Sequence, residues 1–313
     1  MVPQIAVERL AETVKGAVHP RFSLAPLTSF KVGGEAGVLV EPMDPDDLLA
    51  IAAVIKDSHA RSVVLGRGTN VLVADGGFDG IVVRLGASFE WIKGEGNLIE
   101  AGGATPLPQV ANWAARRRLS GLEFAVAIPA TVGGAVRMNA GAHGEAVSKI
   151  LTKVTVCRLA GGSIDVLDQH ALKMSYRETA LGPSDVVCSA TFHLEPGDES
   201  EITKTMAAHR RHRSDTQPSE GPNAGSVFRN PPSASAGELI ESAGLKGTTL
   251  GAAQVSMTHA NFIVAHPGAT AQQIFDLVVK VQAEVLGKCG VRLLPEIKMI
   301  GEFEGQGRLE TAP

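Results

Sequence analysis

Cysteine is scarce. The chain has three in 313 residues, Cys157, Cys188 and Cys289, scattered singly. That excludes a cysteine-rich metal or disulfide framework and fits a reducing cytoplasm. Aromatic residues make up 4% of the chain, with two tryptophans and a single tyrosine, Tyr176. No apolar run approaches the length of a membrane span. The first sixteen residues, MVPQIAVERLAETVKG, lack the apolar core of a signal peptide and read as a short amphipathic helix. Excess positive charge is also missing: the net charge is −4, which argues against a large nucleic-acid footprint. Nine histidines are spread out, with no H-E-x-x-H and no pairing suited to structural zinc, so no metal is expected. No G-x-S-x-G elbow and no internal repeat occur.

What is present is the composition of a globular enzyme: 44% hydrophobic residues, 20% charged and 35 glycines. The length predicts about two domains, or three small ones, with apolar material for more than one core. One stretch stands apart. Residues 126–144, VAIPATVGGAVRMNAGAHG, are small, nearly uncharged and interrupted by Pro129 and several glycines, with Arg137 as the only formal charge. A regular helix or central strand is not expected there. The stretch is either a tight core crossing or a backbone-lined seat for a large flat ligand.

Residues 28–34, TSFKVGG, end in a turn-prone glycine pair. Asp44 and Pro45 open a helix as cap and first residue, and Leu48, Ile51, Ala52 and Ile55 give it one apolar face. Residues 66–70, GRGTN, sit between short strands. They are neither a Walker A loop nor a dinucleotide fingerprint, since the Lys-Ser/Thr ending, the third glycine and the following helix are absent. An anion nest and a hairpin-like turn are both open. Thr105 and Pro106 are expected to cap a second helix, with Leu107, Val110, Ala111 and Ala114 inward. Residues 153–159 and 163–167 read as a hairpin, and 186–194 as a half-buried strand. A helix from about residue 198 ends in the basic cluster 209–213, HRRHR, either a solvated helix end or the mouth of an anion site. A linker is expected over 214–222, a short helix over 237–243 and one strand over 254–264. Thr270 and Gln273 form a capping box. A last strand spans 293–300, and a disordered tail follows.

Arg177, Ser226, Glu296, His259 and Asn261 are isolated polar residues in apolar settings. Each alone fits a satisfied core group as well as a catalyst. Their order along the chain is more specific. TSFKVGG, GRGTN, AIPATVGGAVRMNAGAHG, SYRE, NAGSVFRNP, HANFIV and LLPEIKMIG follow one another from about residue 28 to 301. Together they resemble the UDP-N-acetylenolpyruvoylglucosamine reductase (MurB) family of peptidoglycan precursor synthesis.

The resemblance implies an α+β fold. Two subdomains, 1–86 and 87–213, form an FAD-binding fold of the vanillyl-alcohol-oxidase/PCMH type, and 214–303 form a C-terminal α+β substrate-binding domain. Residues 304–313 are the tail. FAD is the implied cofactor. NADPH and UDP-N-acetylglucosamine enolpyruvate are the implied partners, and the chain is expected to be a cytoplasmic monomer. By resemblance, Gly66, Arg67, Gly68, Thr69 and Asn70 bind the FAD pyrophosphate, with threonine where the family usually has serine. Ile128, Pro129, Thr131, Val132, Gly133, Gly134, Asn139 and Gly141 face the flavin, and Arg213 contacts it. NADPH gives hydride to the flavin, whose N5 then delivers it to the enolpyruvyl methylene. By resemblance Ser226 protonates the neighbouring carbanion, while Arg177 and Glu296 stabilise the enolic intermediate. Tyr176, Asn230, Gln254 and His259 line the substrate site.

Three departures stand out. Ala127 and Ala130 replace the glycines of the usual Gly-Ile-Pro-Gly, which is unfavourable if either needs φ > 0. His143 replaces the usual tyrosine, with altered packing expected near the flavin. The short link from Arg177 to the strand at 186 places the chain in the branch without the long substrate-covering insertion. The rival readings are another oxidase or dehydrogenase of the same FAD fold and a non-catalytic flavin- or nucleotide-sugar-binding protein. Retention of Arg177, Ser226 and Glu296 together separates the leading reading from both.

Overall fold

The computed structural model describes residues 2–232 and 234–309. The chain divides into two compact units. One comprises residues 1–22, 37–67 and 80–213, the other 23–36, 68–79 and 214–313. The chain therefore passes from one unit to the other within GRGTN, between Arg67 and Gly68.

In the first unit, helix Pro45–Ser58 starts as its sequence dictates. The Asp44 carboxylate accepts from Asp47 N–H, Pro45 takes the first position, and Leu48, Ile51 and Ala52 are buried. Asp47 is also buried, and its carboxylate accepts from the N–H groups of Lys15, Gly16 and Met43 at 2.8–2.9 Å. A four-stranded sheet runs in the order Ala17–Pro20, Ala36–Glu41, Phe78–Val83, Ser62–Val64. A five-stranded antiparallel sheet follows in the order Ser163–Asp168, Leu151–Arg158, Asp185–His193, Leu98–Gly102, Ile92–Glu95.

The expected hairpin is its outer pair. The strand Asp185–His193 is not half-buried as its alternation suggested. Every residue from Val186 to Phe192 is buried, because Ala190 and Phe192 join one core while Val186 and Cys188 join another. Burial pushes the Cys157 and Cys188 thiols up, to about 12 and about 11. Helix Leu107–Ala115 has the expected inner face, but Thr105 does not cap it. The Thr105 hydroxyl is spent on Trp91, accepting from its N–H at 3.1 Å and donating to its C=O at 3.0 Å.

In the second unit, three strands, Thr249–Leu250, Ala253–Val255 and Ile263–Ala265, pair antiparallel. The single strand expected over 254–264 is thus two, joined by a loop that carries His259 and Asn261. The expected last strand is shorter, Lys298–Ile300, and pairs in parallel with Val71–Val73. Helix Ala271–Cys289 has the Thr270–Gln273 capping box, and the Asp75 carboxylate accepts from its first two N–H groups at 2.8 and 2.9 Å. Helix Glu199–Thr216 runs past the basic cluster into the expected linker. Of the expected tail, 304–309 are described, with a turn at Gln306–Arg308 and Leu309 buried; 310–313 lie outside the described residues. Among the described residues no helix is long and apolar enough to cross a membrane.

Candidate active site

Each unit gathers part of the predicted site. In the first, the 126–144 stretch contains a helix after all, Val132–Arg137. Six residues need little intrinsic propensity when the ends are held. The Thr131 hydroxyl caps the helix by accepting from Gly134 N–H at 3.1 Å. Val132 and Gly133 donate to the carbonyls of Thr105 and Gly103 at 2.8 and 2.9 Å. Ahead of it, Ala130 N–H bonds Ile128 C=O across the exposed Pro129, and Ala130 C=O accepts from Leu107 N–H. Neither Ala127 nor Ala130 takes a positive φ, so alanine costs nothing at these two departures. Gly66 lies against the cap: a Cβ there would stand 3.2 Å from the Thr131 hydroxyl. Arg67 is exposed. Arg213 reaches back to donate to Ala127 C=O, and burial draws its guanidinium below its ordinary value.

The far end of the stretch holds a second element. Ser175 and Glu178 bond each other's backbone in both directions, at 3.0 and 3.2 Å, which leaves Tyr176 and Arg177 at the tip of a tight turn. Arg177 has φ 60 and Tyr176 is exposed. The Arg177 guanidinium stands 5.2 Å from the Tyr176 ring centroid and donates to Gly141 C=O at 3.1 Å. The buried Asn139 amide donates to Ser175 C=O at 2.8 Å and accepts from Ser148 N–H at 2.9 Å.

His143 does more than fill the tyrosine position. Its ring stacks on His209 at 3.9 Å and meets His212 edge-on at 5.2 Å. Burial first, then the neighbouring histidines, lowers the His143 pKa; burial likewise lowers that of His209. This trio was missed in the sequence, although the three-residue spacing of His209 and His212 puts both on one helix face. Among the described residues no group of His, Cys, Asp or Glu is arranged to hold a metal ion.

In the second unit Gly68 needs to be glycine. Its φ is +67, and a Cβ would fall 2.1 Å from the Leu27 carbonyl oxygen. Thr69 follows, half-buried. Asn70 C=O accepts from Lys298 N–H at 2.9 Å, and its amide donates to Glu296 C=O at 3.2 Å. Glu296 N–H donates to Val227 C=O at 2.7 Å, beside a bridge between Phe228 and Pro295. Ser226 and Glu296, 70 residues apart in number, thereby lie on paired segments of backbone; both are half-buried. Asn261 holds this pairing in place: its amide accepts from Phe228 N–H and donates to Phe228 C=O, at 2.9 and 2.8 Å.

The predicted substrate contacts are engaged within the unit. Exposed Asn230 accepts from Ala236 N–H at 3.0 Å, at the start of helix Ala236–Ser242. The Gln254 amide donates to Gly247 C=O at 3.3 Å and faces His266 Nε2 at 3.0 Å. His259 Nδ1 accepts from Asn261 N–H at 3.2 Å, and burial is the main cause of its lowered pKa. The first unit thus joins a backbone cradle to a guanidinium. The second joins the GTN segment to the Ser226 hydroxyl and the Glu296 carboxyl group.

Comparison with known proteins finds two family domains in the chain. Residues 36–167 match the FAD binding domain family, and 217–300 match the UDP-N-acetylenolpyruvoylglucosamine reductase C-terminal domain family. The UDP-N-acetylenolpyruvoylglucosamine reductase of Bacillus pumilus is 40% identical over 295 residues, 94% of this chain and 97% of that protein. The enzyme of the same name from Bacillus subtilis is 39% identical, over 94% of this chain and 98% of its own length. The crystal structure of the Thermus caldophilus UDP-N-acetylenolpyruvylglucosamine reductase superposes with a TM-score of 0.80 at 35% identity, covering 91% of this chain and 100% of that one. With its FAD-binding fold joined to that reductase's C-terminal α+β domain, the chain belongs to the UDP-N-acetylenolpyruvoylglucosamine reductase family of FAD-containing oxidoreductases.

Proposed function

We propose that this protein reduces UDP-N-acetylglucosamine enolpyruvate to UDP-N-acetylmuramate, with NADPH as the hydride source, in the cytoplasmic synthesis of peptidoglycan precursors and hence in cell-wall growth. Bound FAD supplies the hydride relay. The residues present suit that group. Glycine at 66 keeps the space beside the Thr131 hydroxyl that a Cβ would fill, and Gly68 lets the next turn close. Gly66, Arg67, Gly68, Thr69 and Asn70 would hold the pyrophosphate. The 128–134 backbone and Gly141 would face the flavin, with Arg213 bracing Ala127. In this reading 1–86 and 87–213 carry the cofactor and 214–303 the substrate.

The chain's own chemistry is acid–base and electrostatic. Ser226 gives its hydroxyl proton to the substrate carbon next to the carboxylate. A serine is a poor acid near neutral pH, but a carbanion conjugated with that carboxylate is basic enough to take the proton. Arg177 sets a fixed cation where the enolic charge develops, worth roughly a hundredfold or more in rate. Glu296 stabilises the same charge as the protonated acid, whose carboxyl O–H donates a hydrogen bond to it. Tyr176, Asn230, Gln254 and His259 shape the substrate site.

One observation supports this reading above the others: Glu296 is bonded by its N–H to Val227 and by its C=O to the Asn70 amide. That brings three of the seven ordered motifs into one hydrogen-bonded cluster. Stopped-flow spectroscopy of Ser226→Ala tests it. NADPH should still bleach the flavin, while reoxidation by the enolpyruvyl substrate nearly stops. Rapid reoxidation in that variant removes Ser226 from the role.

A further inference from the structure

Asn139 follows helix Val132–Arg137 with a left-handed φ of 39 and 6% exposure. Both ends of its amide are spent on backbone, donating to Ser175 C=O at 2.8 Å and accepting from Ser148 N–H at 2.9 Å. It is not alone in gripping that loop. Two residues before it, the Arg137 guanidinium donates to the carbonyls of Leu181 and Gly182, and Arg137 C=O accepts from the Thr179 hydroxyl at 2.9 Å. Two residues after it, Gly141 C=O accepts from Arg177 at 3.1 Å. Residues 137–141 thus fasten residues 175–182 along their length. Ser175, Tyr176 and Glu178 of the turn are all exposed.

We infer that Asn139 is a positioning residue for Arg177. Its amide fixes Ser175, and with it the base of the turn from which the guanidinium projects. Arg177 sits two residues beyond the held carbonyl, on a long side chain, so a small shift at Ser175 displaces its charged head by at least as much. Displacement of that order is costly for a group aimed at developing charge. With one N–H and the oxygen of its amide engaged on protein backbone, Asn139 acts on the arginine loop. The inference rests on the role proposed above for Arg177.

Two variants test it. Asn139→Gly tolerates the left-handed backbone and removes only the amide. Asn139→Asp keeps the acceptor for Ser148 but turns the donor into an oxygen facing the Ser175 carbonyl. Both should keep their FAD content, visible spectrum and rate of bleaching by NADPH, while reoxidation by the enolpyruvyl substrate slows about tenfold in the glycine variant and more in the aspartate variant. In an Arg177→Ala background, Asn139→Gly should add little further slowing, because no guanidinium remains to be aimed. Trypsin should cleave after Arg177 several-fold faster in FAD-loaded Asn139→Gly than in the parent, a readout independent of turnover.

If Arg177→Ala slows reoxidation but neither Asn139 variant does, the positioning role is overturned and the proposed function stands. If Arg177→Ala reoxidises at the parent rate, the assigned role of Arg177 fails and takes this inference with it. Fully additive slowing in the double variant, or loss of FAD from both Asn139 variants, makes Asn139 a structural or flavin-holding residue and overturns the inference.

Discussion

Asn139 and Asn261 are both buried, and each spends the donor and the acceptor of its amide on backbone. Their targets differ. Asn261 gives both bonds to one residue, Phe228, as a neighbouring strand would. It stands in for sheet where the chain has left the strand Ala253–Val255 and has yet to enter Ile263–Ala265. Asn139 divides its bonds between Ser148 and Ser175, two segments that share no strand pairing with it. The first arrangement completes a core element, and the second sets the spacing between a cradle and a loop. Loss of the first should therefore be felt in stability, and loss of the second in the placement of a working side chain.

The largest effect that could break this contrast is expected at Asn261. Asn261→Ala leaves the N–H and C=O of Phe228, itself 1% exposed, without their partners. At about 1–3 kcal/mol for each unpaired buried group, the loss is roughly 2–6 kcal/mol, read as a lower urea midpoint. A loss below about 1 kcal/mol would mean that water or a relaxed backbone replaces the amide easily, and the strand-like role would fall. Ser226→Ala comes next. It sits two residues before the clamped Phe228, and about a hundredfold or more should be lost from flavin reoxidation with stability hardly changed. A large stability loss there would blur the line between holding and reacting residues.

Thr131→Ala removes the cap on helix Val132–Arg137 and should cost about 1 kcal/mol, measured by thermal or urea unfolding of the FAD-free protein. The smallest effect is a pH slope. His143 and His209 have lowered pKa values in the folded chain, chiefly through burial, so both favour the neutral form there. Around pH 6 the unfolded chain binds more protons than the folded one, and stability rises with pH. The advantage is complete above the unfolded value of about 6.5 and is lost as the pH falls from there through the lower folded values. The urea midpoint should therefore drop between pH 7.5 and 5.5, and drop less in His143→Tyr. His259, lowered for the same reason, contributes a slope of the same sign that His143→Tyr leaves in place.

The motifs were more legible than the contacts that hold them, for an identifiable reason. Glycines and isolated polar residues in a fixed order are visible without knowing what they touch. GRGTN, SYRE, GSVFRNP and LLPEI could each be picked out in this way. The sequence did not disclose which backbone each one leans on. That the Asn70 amide reaches Glu296, or that Asn139 holds the turn beneath Arg177, depends on segments 226 and 36 residues away. The stacking of His143 on His209 is hidden for the same reason.

Local chemistry alone determined the start of helix Pro45–Ser58 at Asp44, the capping box at Thr270 and the outer hairpin, because their partners lie within a few residues. Tertiary structure decided the rest. It covered both faces of Asp185–His193, which alternation in the sequence marks as one-sided. It drew the Thr105 hydroxyl away to Trp91 and left the helix start to Pro106. It anchored Val132 and Gly133 to distant carbonyls, so that a stretch poor in helix formers still makes a helix. In each case the deciding partner lies outside the element itself. Burial and hydrogen-bond satisfaction are properties of the folded neighbourhood, not of the residues in order.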